Sequence, residues 1–546
     1  MVDEEREELH RRVMLFKQYL ESGKILFAEH LIGEFFESVN KIRFAEDGIV
    51  IPESVDGRVR SSSLLIAHMQ MREDLKSTAS ILDVQQAYFV NIENVFVDYY
   101  HRMIEYKTNP YNFARALSKD QEYVNKVSLF IPEFLEKIND FWSGVGDCVR
   151  YHVEDSQALK AVFGGDLFPS YVGNIASTCG LYFDSIILPD PFMQSAKLFQ
   201  FWDKETQVYY FIKHGLNLMN YKALSLADFD LPMIIILPSK SGYDDNYTQY
   251  LRDITQIDAL KHAGVLFGHK FNSVDELEEF ANTLETPDDV IKAVTDIQLL
   301  LFATEWSGPL NEQITKYMKE SLFDTTRHPG KAIIAHCFGR MGQANDLLRK
   351  SLELKGTPLI DAETSWRYFN WKMSYDAISE TSNLVPLHVM RGLQASVGGE
   401  MHWLGNIPPS ALIEMKRQGA IPEIREILGK GIAEIIVADP MNFISTTDKI
   451  ISNIKNAFKE HEKNLIEIRN KKLKYFGVDV TSMLAVGGIS IAAAIIAHPA
   501  LGVLSAGMGL LGIPTLRDLR NSYKEIQDKS KEVRSSPVGL FFKHKK

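Results

Sequence analysis

The apolar run MIIILP at residues 233–238 decides the fold class, because short apolar runs ended by proline are typical of buried strands. Two other segments share this character: LYFDSIILP at residues 181–189 and AIIA at residues 332–335. Segments with helical periodicity alternate with them, such as VDELEEF at residues 274–280. Runs this short also fit buried helices. The pattern therefore predicts a mixed α/β domain over residues 161–448.

The chain before this region has the periodicity of helices. In the stretch that follows Leu82, apolar side chains recur in steps of three and four at Val84, Tyr88, Ile92 and Val95. Such spacing places them on one helix face that can pack against other helices. We therefore predict a helical bundle domain over residues 1–160, and a mainly α protein with an α/β middle.

The last part of the chain, residues 449–546, has an unusual distribution of charge. Residues 480–516 carry no charged side chain and are rich in glycine and alanine, while basic residues are in excess on both sides. Apolar side chains repeat in steps of three and four along both flanks. The pattern predicts two amphipathic helices that form a hairpin, with an apolar tip that bends at His498-Pro499 and a basic tail.

Two environments fit this hairpin. Each arm of the tip is shorter than the roughly 20 apolar residues that span a bilayer, so a shallow insertion into an anionic membrane surface from the cytoplasmic side is the first hypothesis. A protein partner is a second binding mode, and burial in the protein core is the alternative. The candidate membrane-binding residues are Leu484, Ile489, Ile495, Leu501, Leu504, Leu510, Phe541 and Phe542.

Composition restricts the compartment and the partners. With 60 Lys and Arg against 71 Asp and Glu, the net charge is −11, which argues against general nucleic-acid binding. The acidic N-terminus lacks the apolar segment of a secretory signal. The three cysteines lie far apart and form no C-x-x-C pair. We therefore expect a cytoplasmic protein that is peripheral or monotopic at the inner face of a membrane.

The sequence contains polar candidates for catalysis but no diagnostic motif. The phosphate-loop, H-E-x-x-H and G-x-S-x-G patterns are absent, and no spacing specifies a cofactor, a metal or an oligomeric state. If AIIA at residues 332–335 is a strand, the turn and helix after it would form a common place for site residues in α/β folds. The candidate acids, bases and metal ligands of a hydrolase are His336, Asp361, Glu363, His388 and His402. We keep three hypotheses: a sensing or regulatory protein with a membrane or partner hairpin, a hydrolase, and a scaffold with a buried hairpin.

Overall fold

A small four-stranded parallel sheet lies in the middle of a mostly helical chain. The structure is a computed structural model that describes residues 2–24, 29–164, 175–176, 180, 183–295, 297, 300, 308–320, 327–360, 365, 367–369, 371–372, 409–417 and 419. The predicted mixture of helices with an α/β middle is confirmed. The predicted C-terminal hairpin, with its apolar segment at residues 480–516 and its basic tail, lies outside the described residues.

Along the chain, the described helices precede, separate and follow the strands of the sheet. Before the sheet come α1 (Val2–Glu21), α2 (Glu29–Asn40), α3 (Gly57–Thr78), α4 (Ile81–Glu105), α5 (Pro110–Leu117) and α6 (Gln121–Asp155), with a 3-10 turn at Pro52–Ser54. Between and after the strands come α7 (Pro191–Phe199), α8 (Lys204–Ser225), a 3-10 turn at Lys240–Gly242, α9 (Asp245–Phe267), α10 (Val274–Asn282), α11 (Pro287–Ala293), α12 (Leu310–Glu320), α13 (Pro329–Glu353) and α14 (Pro409–Arg417). None of the described helices is long and apolar enough to cross a membrane.

The strands are β1 (Lys160–Phe163), β2 (Ser185–Leu188), β3 (Ile234–Ile236) and β4 (Thr357–Leu359). Their spatial order is β3-β2-β1-β4, and every neighbouring pair is parallel. All residues of β1, β2 and β3 are buried, as expected of a parallel sheet covered on both faces. The strands predicted within residues 181–189 and 233–238 are therefore confirmed.

The strand predicted at residues 332–335 is wrong, because these residues lie near the start of α13. Pro329 occupies the first turn of that helix, where its missing N–H costs no hydrogen bond. Ala332, Ile333, His336 and Cys337 are all buried, and they repeat at the spacing of a helix face. Four apolar residues alone do not distinguish the two structures.

The outer edge of β3 is closed by a side chain from α4. The amide nitrogen of Gln85 donates to the carbonyl oxygen of Ile236 at 3.0 Å, and its amide oxygen accepts from the Ile236 N–H at 2.9 Å. Gln85 is fully buried. One glutamine side chain thus satisfies both backbone groups of Ile236, which an edge strand would otherwise leave unpaired.

The chain divides into two units, each with its own core. The first comprises residues 1–84 and 147–155, where Phe16 and Phe35 pack with their ring centroids 5.7 Å apart. The second comprises residues 85–146 and 156–546 and contains the sheet. The boundaries at residues 160 and 448 that the sequence suggests stay a prediction.

An aromatic cluster packs inside the second unit. It joins Phe96 of α4, Phe134 of α6, Phe192 of α7 and Phe211 of α8, with ring centroids 4.9 Å apart in its closest pairs. Gly215 of α8 faces the Phe96 ring so closely that a Cβ atom there would lie 2.3 Å from it. The cluster fixes the helices that flank the sheet.

Candidate functional site

A pocket of about 340 Å³ lies where the parallel strands end. Phe163 and Gly164 reach it from the end of β1, Pro189 and Asp190 directly follow β2, and Ser239 follows β3. The order β3-β2-β1-β4 reverses at β1, since β2 and β3 extend to one side and β4 to the other. In open parallel sheets, ligands bind outside the carboxyl ends of the strands, where the strand order reverses. The pocket occupies such a place.

Hydroxyl groups form the wall that follows β3. The Ser239 hydroxyl donates to a carboxylate oxygen of Asp346 at 2.5 Å, and it accepts from the Ser241 hydroxyl at 3.0 Å. Thr248, one turn into α9, donates from its hydroxyl to the Ser241 carbonyl oxygen at 3.0 Å. Each of these hydroxyl groups lines the pocket or borders it. They are suited to exchange hydrogen bonds with a polar ligand.

One face of α13 forms the opposite wall. Gly342, Asp346 and Lys350 are spaced by four residues, so all three lie on the same side of the helix, and all three line the pocket. The Lys350 side chain is buried and donates from Nζ to the Leu237 carbonyl oxygen at 2.5 Å. This contact joins α13 to Leu237, the residue directly after β3. Because Gly342 has no side chain, the pocket stays open between α13 and Thr255 of α9.

Asp190 is a completely buried carboxylate at the floor of the pocket. One oxygen accepts from the backbone N–H groups of Phe192 and Met193, as the N-cap of α7, and the other accepts from the indole N–H of Trp142 at 2.6 Å. Burial raises the pKa of Asp190, while these donors and Tyr88 act in the opposite direction. The sequence PDP at residues 189–191 therefore has two roles. It caps a helix and closes the site.

Two exposed cations complete the pocket. Lys197 lies on α7 and Arg252 on α9, and both line the opening. Within the described part of the chain, neither forms an ion pair with a carboxylate. Arg252 donates from Nη1 to the side-chain oxygen of Gln249, a polar neighbour on its own helix, at 3.3 Å. Both positive charges are therefore available at the rim.

Of the five candidate catalytic residues, only His336 lies among the described residues, and it is not part of this pocket. His336 lies on α13, buried between the rings of Tyr317 and Tyr368, whose centroids are 5.5 and 5.6 Å away, and it does not line the pocket. Asp361, Glu363, His388 and His402 lie outside the described residues. Over the ranges that the structure describes, no three His, Cys, Asp or Glu side chains are grouped as metal ligands would be.

A second polar cluster is buried beside the pocket helices. Asp258 of α9 accepts from the side chain of Asn345 at 2.9 Å and pairs with Lys372 at 2.8 Å. The neighbouring His262 ring stacks on Trp371 at 4.7 Å, and burial lowers the pKa of His262 to about 4. This cluster joins α9, α13 and residues 371–372, and none of its residues named here lines the pocket.

Sequence reasoning missed the pocket residues Ser239, Asp346 and Lys350. A signal for Ser239 was present, since two of the three apolar runs end in proline followed at once by a polar residue, Asp190 or Ser239. In parallel strands these residues must lie at one edge of the sheet. Asp346 and Lys350 gave no comparable signal, because they belong to a helix whose start was assigned to a strand.

The whole chain was compared with known proteins. The chain matches no protein family model, no curated protein and no solved structure. The site must therefore be interpreted from its own chemistry.

Proposed function

We propose that this chain binds a small polar molecule in the pocket at the carboxyl edge of its sheet. The observation that carries the proposal is the position of the pocket, at the strand ends where the strand order reverses, with hydroxyl groups on one wall and polar residues of α13 on the other. Its volume of about 340 Å³ suits a metabolite the size of a sugar or nucleoside. Binding there would couple the ligand to β2, β3 and α13.

Filling the pocket tests this proposal. Gly342 lines the pocket, and a Cβ atom there would meet only Thr255 at an ordinary contact distance of 3.7 Å. Gly342→Leu therefore places new atoms in the ligand space with little strain. Gly339→Leu is the matched control, because Gly339 lies on the same helix, is exposed and has open space around it.

The assay is thermal stabilisation of the full chain by a panel of sugars, sugar phosphates, nucleosides and small carboxylic acids. Because a ligand that binds the native state raises its stability, at least one class should raise the melting temperature of the wild type and of Gly339→Leu. Gly342→Leu should lose that increase. Equal stabilisation of both variants, or no stabilisation by any class, would contradict the proposal.

The C-terminal segment supports a second candidate function, attachment to an anionic membrane surface. The supporting observation is in the sequence, where the uncharged residues 480–516 lie between two basic segments. Gly488→Glu with Ala493→Glu should reduce flotation of the full chain with phosphatidylserine vesicles. The control, Val90→Glu with Leu129→Glu, adds the same charge at two exposed apolar positions of α4 and α6. If the first variant binds as the control does, this candidate is wrong.

A protein partner for the hairpin, a hydrolase and a scaffold stay hypotheses. Four of the five candidate catalytic residues and all eight candidate membrane-binding residues, Leu484, Ile489, Ile495, Leu501, Leu504, Leu510, Phe541 and Phe542, lie outside the described residues.

A further inference from the structure

More cationic than anionic side chains line the pocket. Three cations line it, Lys197 of α7, Arg252 of α9 and Lys350 of α13. They come from three different helices. A positive potential in a pocket with low-dielectric walls attracts anions more strongly than the same charges on an open surface.

The two carboxylates that line the pocket are already engaged with the protein. Asp346 accepts the Ser239 hydroxyl, and Asp190 accepts from Trp142 and from two backbone N–H groups. Within the described residues, the exposed cations Lys197 and Arg252 form no ion pair, although Arg252 donates one hydrogen bond to Gln249. The pocket lining therefore holds three cations against two carboxylates, and burial raises the pKa of one of these carboxyls, Asp190, so positive charge is in excess.

From this arrangement we infer that the ligand carries an oxyanion, a carboxylate or a phosphate, on a small hydroxylated body. The inference rests on the proposed function and adds the ligand class. The planar guanidinium of Arg252 suits an oxyanion because it can donate two parallel hydrogen bonds to it. The hydroxyl groups of Ser241 and Thr248 donate their protons within the protein, so their oxygens can accept hydrogen bonds from the hydroxyl groups of a sugar.

The size of the pocket restricts the hydroxylated body. A volume of about 340 Å³ lies near the lower end of the usual range for small-molecule sites, about 300–1,000 Å³. It accommodates one sugar ring or a chain of similar size. An oligonucleotide or a folded protein would meet only the rim cations and not the hydroxyl wall.

The test uses matched probes that differ only in the anionic group. Ribose, ribose 5-phosphate and ribonate share a hydroxylated body, and inorganic phosphate supplies the anion alone. Calorimetric titration of the full chain should show ribose 5-phosphate or ribonate binding about tenfold or more tightly than ribose, because charge-assisted hydrogen bonds are the strong ones. Which of the two binds more tightly distinguishes phosphate from carboxylate recognition. Inorganic phosphate should bind more weakly than the better sugar anion.

Paired variants connect this preference to the rim cations. Lys197→Gln with Arg252→Gln should remove the preference for the anionic sugar, and both side chains are exposed, so the fold should be kept. Lys119→Gln with Lys204→Gln removes the same charge at two exposed positions away from the pocket and should keep the preference. Added salt should weaken binding of the sugar anion and leave ribose unaffected.

The outcomes separate this inference from the function it rests on. If ribose binds as tightly as its anions and Gly342→Leu abolishes that binding, the pocket binds ligand but the oxyanion inference is wrong. If neither sugar anion binds at millimolar concentration, or if the two paired variants behave alike, the inference is also wrong. If the sugar anions bind wild type and Gly342→Leu equally, the pocket itself is not the site and both proposals fail.

Discussion

Replacement of Gln85 by methionine should destabilise the protein by about 1–4 kcal/mol. Methionine has nearly the same length and volume, so the substitution leaves the packing intact and removes only the two hydrogen bonds to Ile236. Both Ile236 backbone groups would then be buried without a partner, at a cost of about 1–3 kcal/mol each. Burial of the more apolar methionine side chain offsets about 1–2 kcal/mol of this.

The neighbouring residue supplies the control. Gln86 is exposed on the same helix, so Gln86→Met repeats the chemical change without touching β3. Surface substitutions of this kind change stability by about 0.5 kcal/mol at most. The difference between the two variants therefore measures the contribution of the strand edge.

Urea unfolding followed by tryptophan fluorescence gives the free-energy difference, and hydrogen exchange gives its location. The Ile236 amide, which donates to Gln85, should exchange faster in Gln85→Met than in Gln86→Met. If the two variants unfold at the same urea concentration and protect this amide equally, the explanation of how the edge strand is closed is incorrect.

Two further predictions concern the core of the second unit. Gly215→Ala should destabilise the protein by about 1–2 kcal/mol in thermal unfolding, because the Cβ atom would lie 2.3 Å from the enclosed Phe96 ring and overpacking costs about 1–3 kcal/mol. The control Gly339→Ala, with open space around it, should stabilise α13 by about 0.5–1 kcal/mol. Equal effects of the two substitutions would contradict this account. Burial, together with the charge of Lys213, lowers the pKa of His214 to about 3. The native state therefore holds the neutral ring, and stability is lost as the pH falls below the unfolded-state pKa of about 6.5. Urea unfolding at about pH 7 and about pH 5 should show a loss of about 2 kcal/mol from this group that is absent in His214→Phe, and an unchanged loss in that variant would assign the effect elsewhere.

The strands differ in how far their sequences reveal them. β2 and β3 were predictable because a strand covered on both faces is apolar throughout, and a proline follows each one. β4 was not, because it has only three residues, Thr357–Leu359, and contains a proline. Its place depends on the glycine before it, since a Cβ atom at Gly356 would lie 2.7 Å from Val162 of β1. That contact is between distant parts of the chain and leaves no local pattern.

The candidate site was less predictable than the fold. Ser239 and Asp346 meet across 107 residues of sequence, and Lys350 reaches Leu237 across 113. Which helix face lies against which strand end depends on tertiary packing and not on local propensity. His336, a polar residue next to an apolar run, was predicted as a candidate catalytic residue. Its ring packs between two tyrosines, a contact that the local sequence does not reveal.

The pairing of Val162 with Pro358 has a consequence for synthesis of the chain. About 200 residues separate the two partners, which at about 5–20 residues per second is an interval of about 10–40 seconds on the ribosome. Throughout that interval one side of β1 has no backbone partner, and an open strand edge can pair with a neighbouring nascent chain. The helices at the N-terminus close with local contacts long before this. Production of the full protein should therefore be most vulnerable to aggregation, and most dependent on chaperones, while residues 164–359 are being made.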